Sequence, residues 1–302
     1  MSTPTLITSR DPKGQRIIDL VAAVLNKSKL DDDRAQRLIE NGGEFQSGLR
    51  SLIEQYSASN RFADQEVKSN CGYPEEYRVR PLAEQVDILA GLFKLSLGDT
   101  IEFIEKTLPT LTLPEGAEDY FAIPSIDAVA ARFFPDVKDP AEKYCRAVNL
   151  VLEMLAKSRK FTNYRAGELT PDRFRQHVRT VQALETISET QTGDILIIPC
   201  QFGLRYRGKS VNRARELFRG SEFGLGAFAT GCMELTHPER EVHWEQLHPD
   251  CPGDEFSPDA DGQFDSAPIF FFHDGQLRFP AGWVSYAHAH YGSASGFIPQ
   301  QP

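Results

Sequence analysis

Hydrophobic residues recur at helical spacing in the first third of the chain. One apolar stripe runs through residues 17–25 and a second through residues 82–93, with polar residues between their members. The stretch between them, residues 57–81, carries glycine, proline and several charges, which is typical of a long loop. The pattern therefore predicts a helical region over residues 1–110.

Prolines mark the end of this region. Residues 108–124 include Pro109, Pro114 and Pro124, and proline neither continues a helix nor favours helix at the residue before it. We assign residues 111–124 as a Pro-rich connection and residues 125–302 as a second domain. An arrangement in which this domain and the N-terminal helices pack as one compact unit stays open.

The second half combines helices with strands. Asp139-Pro140 and Thr170-Pro171 each place a capping side chain before a first-turn proline, and an apolar stripe follows both. From residue 194 the period shortens to that of a strand, over 195–198 and again over 225–235. An Asp-Gly pair at 274–275 between two apolar runs predicts a hairpin. The expected fold class is α+β: a helical N-terminal region, then a mixed α/β C-terminal region with antiparallel strands and a late β-hairpin.

Composition excludes several classes of protein. With 302 residues, 33 Lys plus Arg, 43 Asp plus Glu and a formal net charge of −10, the chain resembles ordinary soluble globular proteins and does not coat nucleic acid by bulk charge. Neither an export signal in the first 14 residues nor an apolar membrane span is apparent, so we expect a cytoplasmic protein without membrane contact. The cysteines form no CxxC pair and are expected to be reduced: Cys71, Cys145, Cys200, Cys232 and Cys251.

Charge is segregated in the second half of the chain. Residues 157–219 hold 13 Lys plus Arg against six acids, whereas residues 220–274 hold 12 acids and one arginine. One interpretation is that the two segments attract each other within one fold. The other is that the basic segment binds the phosphates of RNA, DNA or a nucleotide, with Arg175 and Arg179 one helical turn apart and joined by Arg213 and Arg215.

A nucleotide-binding motif lies within the basic segment. Residues 203–210 match GxxxxGK[ST], after an apolar run and before an expected helix at 211–218. In this interpretation the amides around Gly208 hold phosphates, Lys209 reaches the terminal phosphates and Ser210 binds magnesium. Bulky residues inside the loop, Pro199 before it and the absence of later βα units argue against a P-loop.

Histidines suggest a metal site as an alternative. Six of the seven histidines lie in the last 66 residues, and His288 and His290 would project from the same face of a strand. Cys251, Asp254 and Glu255 could complete a site for a divalent metal cofactor. No spacing matches a paired zinc signature.

A family resemblance is carried mainly by the C-terminal half. In the segments quoted below, the chain resembles a family of uncharacterised hypothetical proteins from candidate-phyla bacteria. The resemblance implies a bacterial protein, but no activity, cofactor or catalytic residue. The segments are Gln201-Phe202-Gly203-Leu204-Arg205, Glu222-Phe223-Gly224-Leu225-Gly226, Leu235-Thr236-His237-Pro238-Glu239-Arg240, Cys251-Pro252-Gly253-Asp254-Glu255 and Gly292-Ser293-Ala294-Ser295-Gly296.

Taken together, the sequence favours a binding or interaction protein. Its expected surface is the arginine-rich segment, and its expected partner is a nucleic acid or a phosphorylated ligand. The alternatives are a P-loop-like nucleotide phosphohydrolase and a metal-dependent hydrolase that uses the C-terminal His, Cys and carboxylate residues. Whether the chain catalyses any reaction stays open at this point.

Overall fold

The computed structural model describes residues 8–57 and 60–299. The chain forms two compact units, with the break between Ser57 and Ala58. The first unit is helical, and in it Asp31 caps a helix by accepting a hydrogen bond from the amide of Arg34 at 2.8 Å. The part of the expected leader-free segment at residues 1–7 lies outside the described residues. The helices of the first unit are α1 (Pro12–Lys27), α2 (Asp32–Glu40) and α3 (Gly42–Ser57).

The second unit mixes helices with short strands, which confirms the α+β class. The expected loop is confirmed over its described part, residues 60–81, and the predicted connection at 111–124 lies within this unit. The helices are α4 (Leu82–Phe93), α5 (Gly98–Glu102), α6 (Ile126–Phe133), α7 (Pro140–Ser158), α8 (Val178–Thr190), α9 (Val211–Leu217) and α10 (Ala227–Thr236), with helical turns at Phe103–Thr107, Leu108–Thr110 and Leu204–Tyr206. The strands are β1 (Asp119–Pro124), β2 (Phe161–Asn163), β3 (Phe174–Gln176), β4 (Ile195–Gln201), β5 (Glu222–Gly224), β6 (His248–Asp250), β7 (Asp254–Phe256), β8 (Ser266–Pro268), β9 (Phe271–His273), β10 (Gln276–Phe279), β11 (Ala281–Trp283), β12 (Tyr291–Ser293) and β13 (Ser295–Phe297).

A four-stranded antiparallel sheet, ordered β1-β4-β13-β5, forms the centre of the second unit. Every residue of β4 is buried, which explains why it appears in the sequence as a continuous apolar run. The register pairs Ile123 of β1 with Leu196 of β4. Because side chains alternate along a strand, Leu196 and Ile198 face the same side of the sheet.

Smaller sheets surround the central one, ordered β2-β10-β9, β11-β8-β7-β3 and β12-β6. The predicted late hairpin is confirmed, since β9 and β10 pair antiparallel around Asp274 and Gly275. These two residues have φ values of +52° and +72°, the positive φ at both central positions that a two-residue hairpin turn of type I′ requires.

The helix starts were predicted with mixed success. Asp139 caps α7 by accepting from the amide of Glu142 at 2.9 Å, as expected. The helix predicted to begin at Thr170-Pro171 is wrong, because residues 174–176 form β3 against β7 and the next helix starts after His177. The helices within the described residues are all too short or too polar to cross a lipid bilayer.

The strand predicted over residues 225–235 is also wrong, because most of this segment is helix α10. Apart from Leu235, every residue from Ala227 to Thr236 is buried, so no polar face reveals the helical period. Gly231 lets α10 approach α7 closely, since a Cβ at this position would overlap the side chain of Val151.

Candidate functional site

A cleft of about 610 Å³ lies on one face of the central sheet. Its floor is apolar and includes Ile123 and Leu196 of the sheet, Leu225 after β5 and Phe228 of α10. Its walls come from the first turns of α6 and α7 and from one side of α8. The volume and the apolar floor are those of a small-molecule site.

Helical spacing directs α8 toward the cleft. Val181, Leu184, Glu185 and Ser188 line it, and these positions share one face of a helix because they are three or four residues apart. His177 fixes the start of α8, where its ring nitrogen accepts from the amide of Arg179 at 3.3 Å. The apolar members of this face meet the floor, and the polar members lie higher, toward the rim.

A buried tyrosine and aspartate hold the inner end of the cleft. The hydroxyl of Tyr144, which lines the cleft, donates to the carboxylate of Asp254 at 2.6 Å. The other oxygen of Asp254 accepts from the amide of Ala227 at 2.6 Å, in the first turn of α10. Burial raises the pKa of Asp254 to about 7. A side chain at Gly226 would overlap both the tyrosine hydroxyl and the carboxylate, so only glycine fits between them.

The charged side chains of the cleft lie near its rim and are mainly acidic. Lys143 forms an ion pair with Asp127, with 2.6 Å between Nζ and Oδ1. Glu185 and Glu189 are exposed, lie one turn apart on α8, and make no ion pair or hydrogen bond within the described part of the chain. The rim thus carries two uncompensated carboxylates.

The first two predicted phosphate-binding arginines bind protein groups instead. Arg175 and Arg179 do not share a helix, because Arg175 lies in β3 and Arg179 in α8. Arg175 pairs with Glu255, with 2.7 Å between Nε and Oε2, and Arg179 donates to the carbonyl oxygen of Glu222 at 2.7 Å. The basic segment therefore contacts the acidic segment, as expected if the two attract each other within one fold.

The other two arginines are also engaged. Arg213 pairs with Glu66 at 2.5 Å and with Glu216 at 2.8 Å. Arg215 is buried and donates to two backbone carbonyl oxygens, those of Pro252 at 2.9 Å and Asp254 at 2.6 Å. The four arginines do not form one phosphate-facing surface.

Arginine 213 tests this assignment directly. We expect Arg213→Ala to lower the free energy of unfolding by about 1 kcal/mol, because it breaks a partly exposed ion-pair network. We also expect it to leave the retention of single-stranded RNA unchanged. Urea titration and a filter-binding assay measure the two effects. Loss of RNA retention without loss of stability would instead restore the phosphate-binding interpretation.

The string match at residues 203–210 does not form a phosphate-binding loop. The amides of Gly208, Lys209 and Ser210 each donate to a protein carbonyl oxygen, at 2.8–3.1 Å, so they are not free to hold phosphate. Ser210 caps α9 by accepting from the amide of Arg213 at 3.0 Å, and the Nζ atom of Lys209 lies 3.4 Å from Glu66. The sheet is antiparallel at β4, unlike the parallel βα units of nucleotide-binding folds.

The predicted metal ligands are also divided. Cys251 is a buried thiol, and Asp254 bonds to Tyr144 and α10 as described above, while Glu255 pairs with Arg175. His288 and His290 do lie together, with ring centroids 5.4 Å apart. Across residues 8–57 and 60–299, no group of three or more His, Cys, Asp or Glu side chains is arranged to hold a metal ion.

Sequence reasoning missed that histidines gather around Trp244. The indole ring stacks on His290 at 4.7 Å between centroids and lies 5.3 Å from His248. The carbonyl oxygen of Trp244 bonds to both imidazoles, at 2.8 Å and 3.1 Å. Histidine content hinted at this cluster, but the indole between the rings was not predictable from spacing.

One of these histidines pairs with a buried carboxyl group. The Nδ1 atom of His248 lies 2.6 Å from Oε1 of Glu241, and both side chains are fully buried. Burial lowers the pKa of His248 to about 3 and raises the pKa of Glu241. A neutral carboxyl group therefore donates to Nδ1, and Nε2 donates to the carbonyl oxygen of Trp244. Since both ring nitrogens are occupied, this pair fixes the loop before β6.

Comparisons with family models, with curated proteins and with solved structures find no match to this chain. The assignment of a function therefore follows from the geometry of its own residues.

Proposed function

We propose that this chain binds a small amphiphilic cation, with the apolar body of the ligand in the cleft and its charged group at the rim. The observation that carries the proposal is the 610 Å³ cleft with its apolar floor. The proposal keeps the expected role of a binding protein, but moves the site away from the arginine segment.

The charges at the rim favour a cation. The ion pair between Lys143 and Asp127 is locally neutral, which leaves the carboxylates of Glu185 and Glu189. An ammonium group near these two carboxylates gains Coulomb energy, whereas an anionic head group would be repelled. The expected ligand class is an alkyl or aryl amine.

The polar groups deeper in the cleft favour binding over catalysis. Tyr144 bonds to Asp254, and the hydroxyl of Thr180 donates to the carbonyl oxygen of Gly224 at 2.8 Å. These groups fix the walls of the site and have no spare hydrogen for a reacting substrate. A largely preformed apolar site with fixed walls binds without chemistry.

Calorimetric titration with octylamine, octanol and octanoate tests both parts of the proposal. We expect octylamine to bind most tightly, octanol more weakly and octanoate least, and we expect added salt to weaken only the binding of the amine. Failure of all three compounds to bind would contradict a ligand site in the cleft.

Variants locate the binding. Ala229 of α10 lines the cleft, so Ala229→Trp should fill it and abolish binding, whereas Val178→Trp places the same ring on the exposed side of α8. The double change Glu185→Gln and Glu189→Gln should weaken octylamine about fivefold and leave octanol unchanged. Glu153→Gln, on an exposed position of α7 outside the cleft, is the control for lost charge. Equal binding by Ala229→Trp and the parent would place the ligand elsewhere.

A further inference from the structure

Arg240 is a fully buried cation without an ion pair. Its side chain is completely inaccessible, and its Nη1 atom donates to the carbonyl oxygen of Leu247 at 2.8 Å. Within the described residues, its Nε and Nη2 atoms have no hydrogen-bond partner and no carboxylate oxygen lies within 4 Å. Guanidinium groups stay charged in proteins, so two buried donors on one edge need a partner that the side chains do not supply.

Three carboxyl groups near Arg240 have the complementary deficit. Glu118 and Glu241 each keep one buried oxygen without a partner, and Glu234 keeps both. Burial raises the pKa of all three carboxyl groups, and the nearby charge of Arg240 opposes that rise. The hydroxyl of Tyr77, close to the same charges, is also buried without a partner. Free donors and free acceptors are therefore concentrated at one place, yet they do not reach each other.

A loop with tyrosines covers this place. The ring of Tyr73 lies over the guanidinium group of Arg240, 3.7 Å from its carbon to the ring centroid, and the Tyr73 hydroxyl bonds to Glu118. Tyr73 and Glu118 are themselves partly exposed, so the cover extends to the surface. It belongs to residues 60–81, a long loop that forms no helix and pairs only by a bridge at Glu66. Long loops of this kind often act as lids over sites.

We propose that Arg240 and the surrounding carboxyl groups bind a small zwitterion, a ligand that carries both a carboxylate and an ammonium group, as amino acids do. The free Nε and Nη2 edge of a guanidinium group matches the two oxygens of a carboxylate. The free oxygens of Glu234, Glu118 and Glu241 accept hydrogen bonds from an ammonium group. A ligand with only one of these charges satisfies only one half of the site. Movement of the tyrosine loop opens the route.

Thermal unfolding with matched ligands tests the proposal. Glycine and β-alanine carry both charges, whereas acetate and methylammonium each carry one. At millimolar concentration we expect the first two to raise the Tm of the full chain with increasing concentration, and the last two to leave it unchanged. Arg240→Met and Glu234→Gln should each abolish the increase. Absence of a shift with either zwitterion, or an equal shift in the parent and both variants, would overturn the proposal.

Two further measurements keep the test decisive. If Arg240→Met does not fold, Glu118→Gln combined with Glu234→Gln removes acceptors while keeping the cation, and it should also abolish the response to glycine. A crystal soaked in glycine should show the ligand on the Nε and Nη2 edge of Arg240, and ordered water alone at that place would contradict the proposal. The cleft variant Glu185→Gln serves as the control and should respond to glycine as the parent does.

Discussion

Replacement of Gly253 by alanine is expected to lower the free energy of unfolding by about 3 kcal/mol or more. A Cβ at this position would lie 2.5 Å from the carbonyl oxygen of Gly224 and would overlap the amide nitrogen of Gly226. Both neighbours are backbone atoms, so no side-chain rotation relieves the clash. The displaced segment contains Leu225 of the cleft floor and leads directly into α10. Equilibrium unfolding in urea measures the loss, and octylamine binding should fall with it.

Gly91 provides the matched control for this substitution. It is exposed in α4, and an added Cβ would meet nothing within 4 Å. Alanine is the better helix former, so Gly91→Ala should leave stability unchanged or raise it by up to about 1 kcal/mol. If Gly253→Ala were as stable as Gly91→Ala, the two backbone segments could not approach as closely as described.

The free energy of unfolding is also expected to fall as the pH rises from 6.5 to 8. Burial raises the pKa of Asp254 to about 7 and that of Asp250 to about 8, from an ordinary value near 3.8. In this range the folded protein still holds protons that the unfolded chain has released, so a rise in pH favours unfolding. Each such group contributes about 1.4 kcal/mol per pH unit while it stays protonated in the folded state. Urea titrations across the range measure the slope.

Buried histidines act in the opposite direction, but at lower pH. Burial lowers the pKa of His177 and of His237 to about 4 and that of His248 to about 3, from an ordinary value near 6.5. The unfolded chain binds protons at these histidines below about pH 6.5 and the folded protein does not, so their effect makes stability rise with pH. Their contribution is almost complete above pH 6.5, and the carboxyl groups then determine the slope.

A single substitution isolates one carboxyl group. Asp250→Asn removes a titrating group from β6, so the loss of stability between pH 6.5 and 8 should be smaller than in the parent. Asp259→Asn changes an exposed aspartate and should leave the slope unchanged. A parent protein whose stability does not change over this range, or an Asp250→Asn variant with the parent's slope, would contradict the expectation.

Local signals allowed part of the fold to be predicted. The cap at Asp139, the apolar run of β4 and the Asp-Gly turn each depend on neighbouring residues, and all three predictions are confirmed. α10 escaped prediction because its burial on nearly all sides erased the polar face that reveals a helix. The short strand β3 escaped because its pairing with β7, far along the chain, outweighs the local preference for helix.

The candidate site was harder to predict than the fold. The cleft is lined by residues from β1, α7, α8, β4 and α10, which no sequence spacing connects. The basic segment was visible as charge, but charge alone does not show whether an arginine faces solvent or a carbonyl oxygen, as Arg215 does. Only tertiary contacts distinguish the two. The single arginine of the acidic segment, Arg240, received no attention for the same reason.

The strand order of the central sheet affects how this protein is made. β4 and β5 are not neighbours, because β13, formed by residues 295–297, lies between them. Until those residues leave the ribosome, a nascent chain exposes an unpaired edge on each of the two strands, and such edges can pair with other chains. Completion of the sheet is therefore post-translational. A translation arrest upstream of residue 295 would leave a product that depends on chaperones and is a ready target for proteolysis.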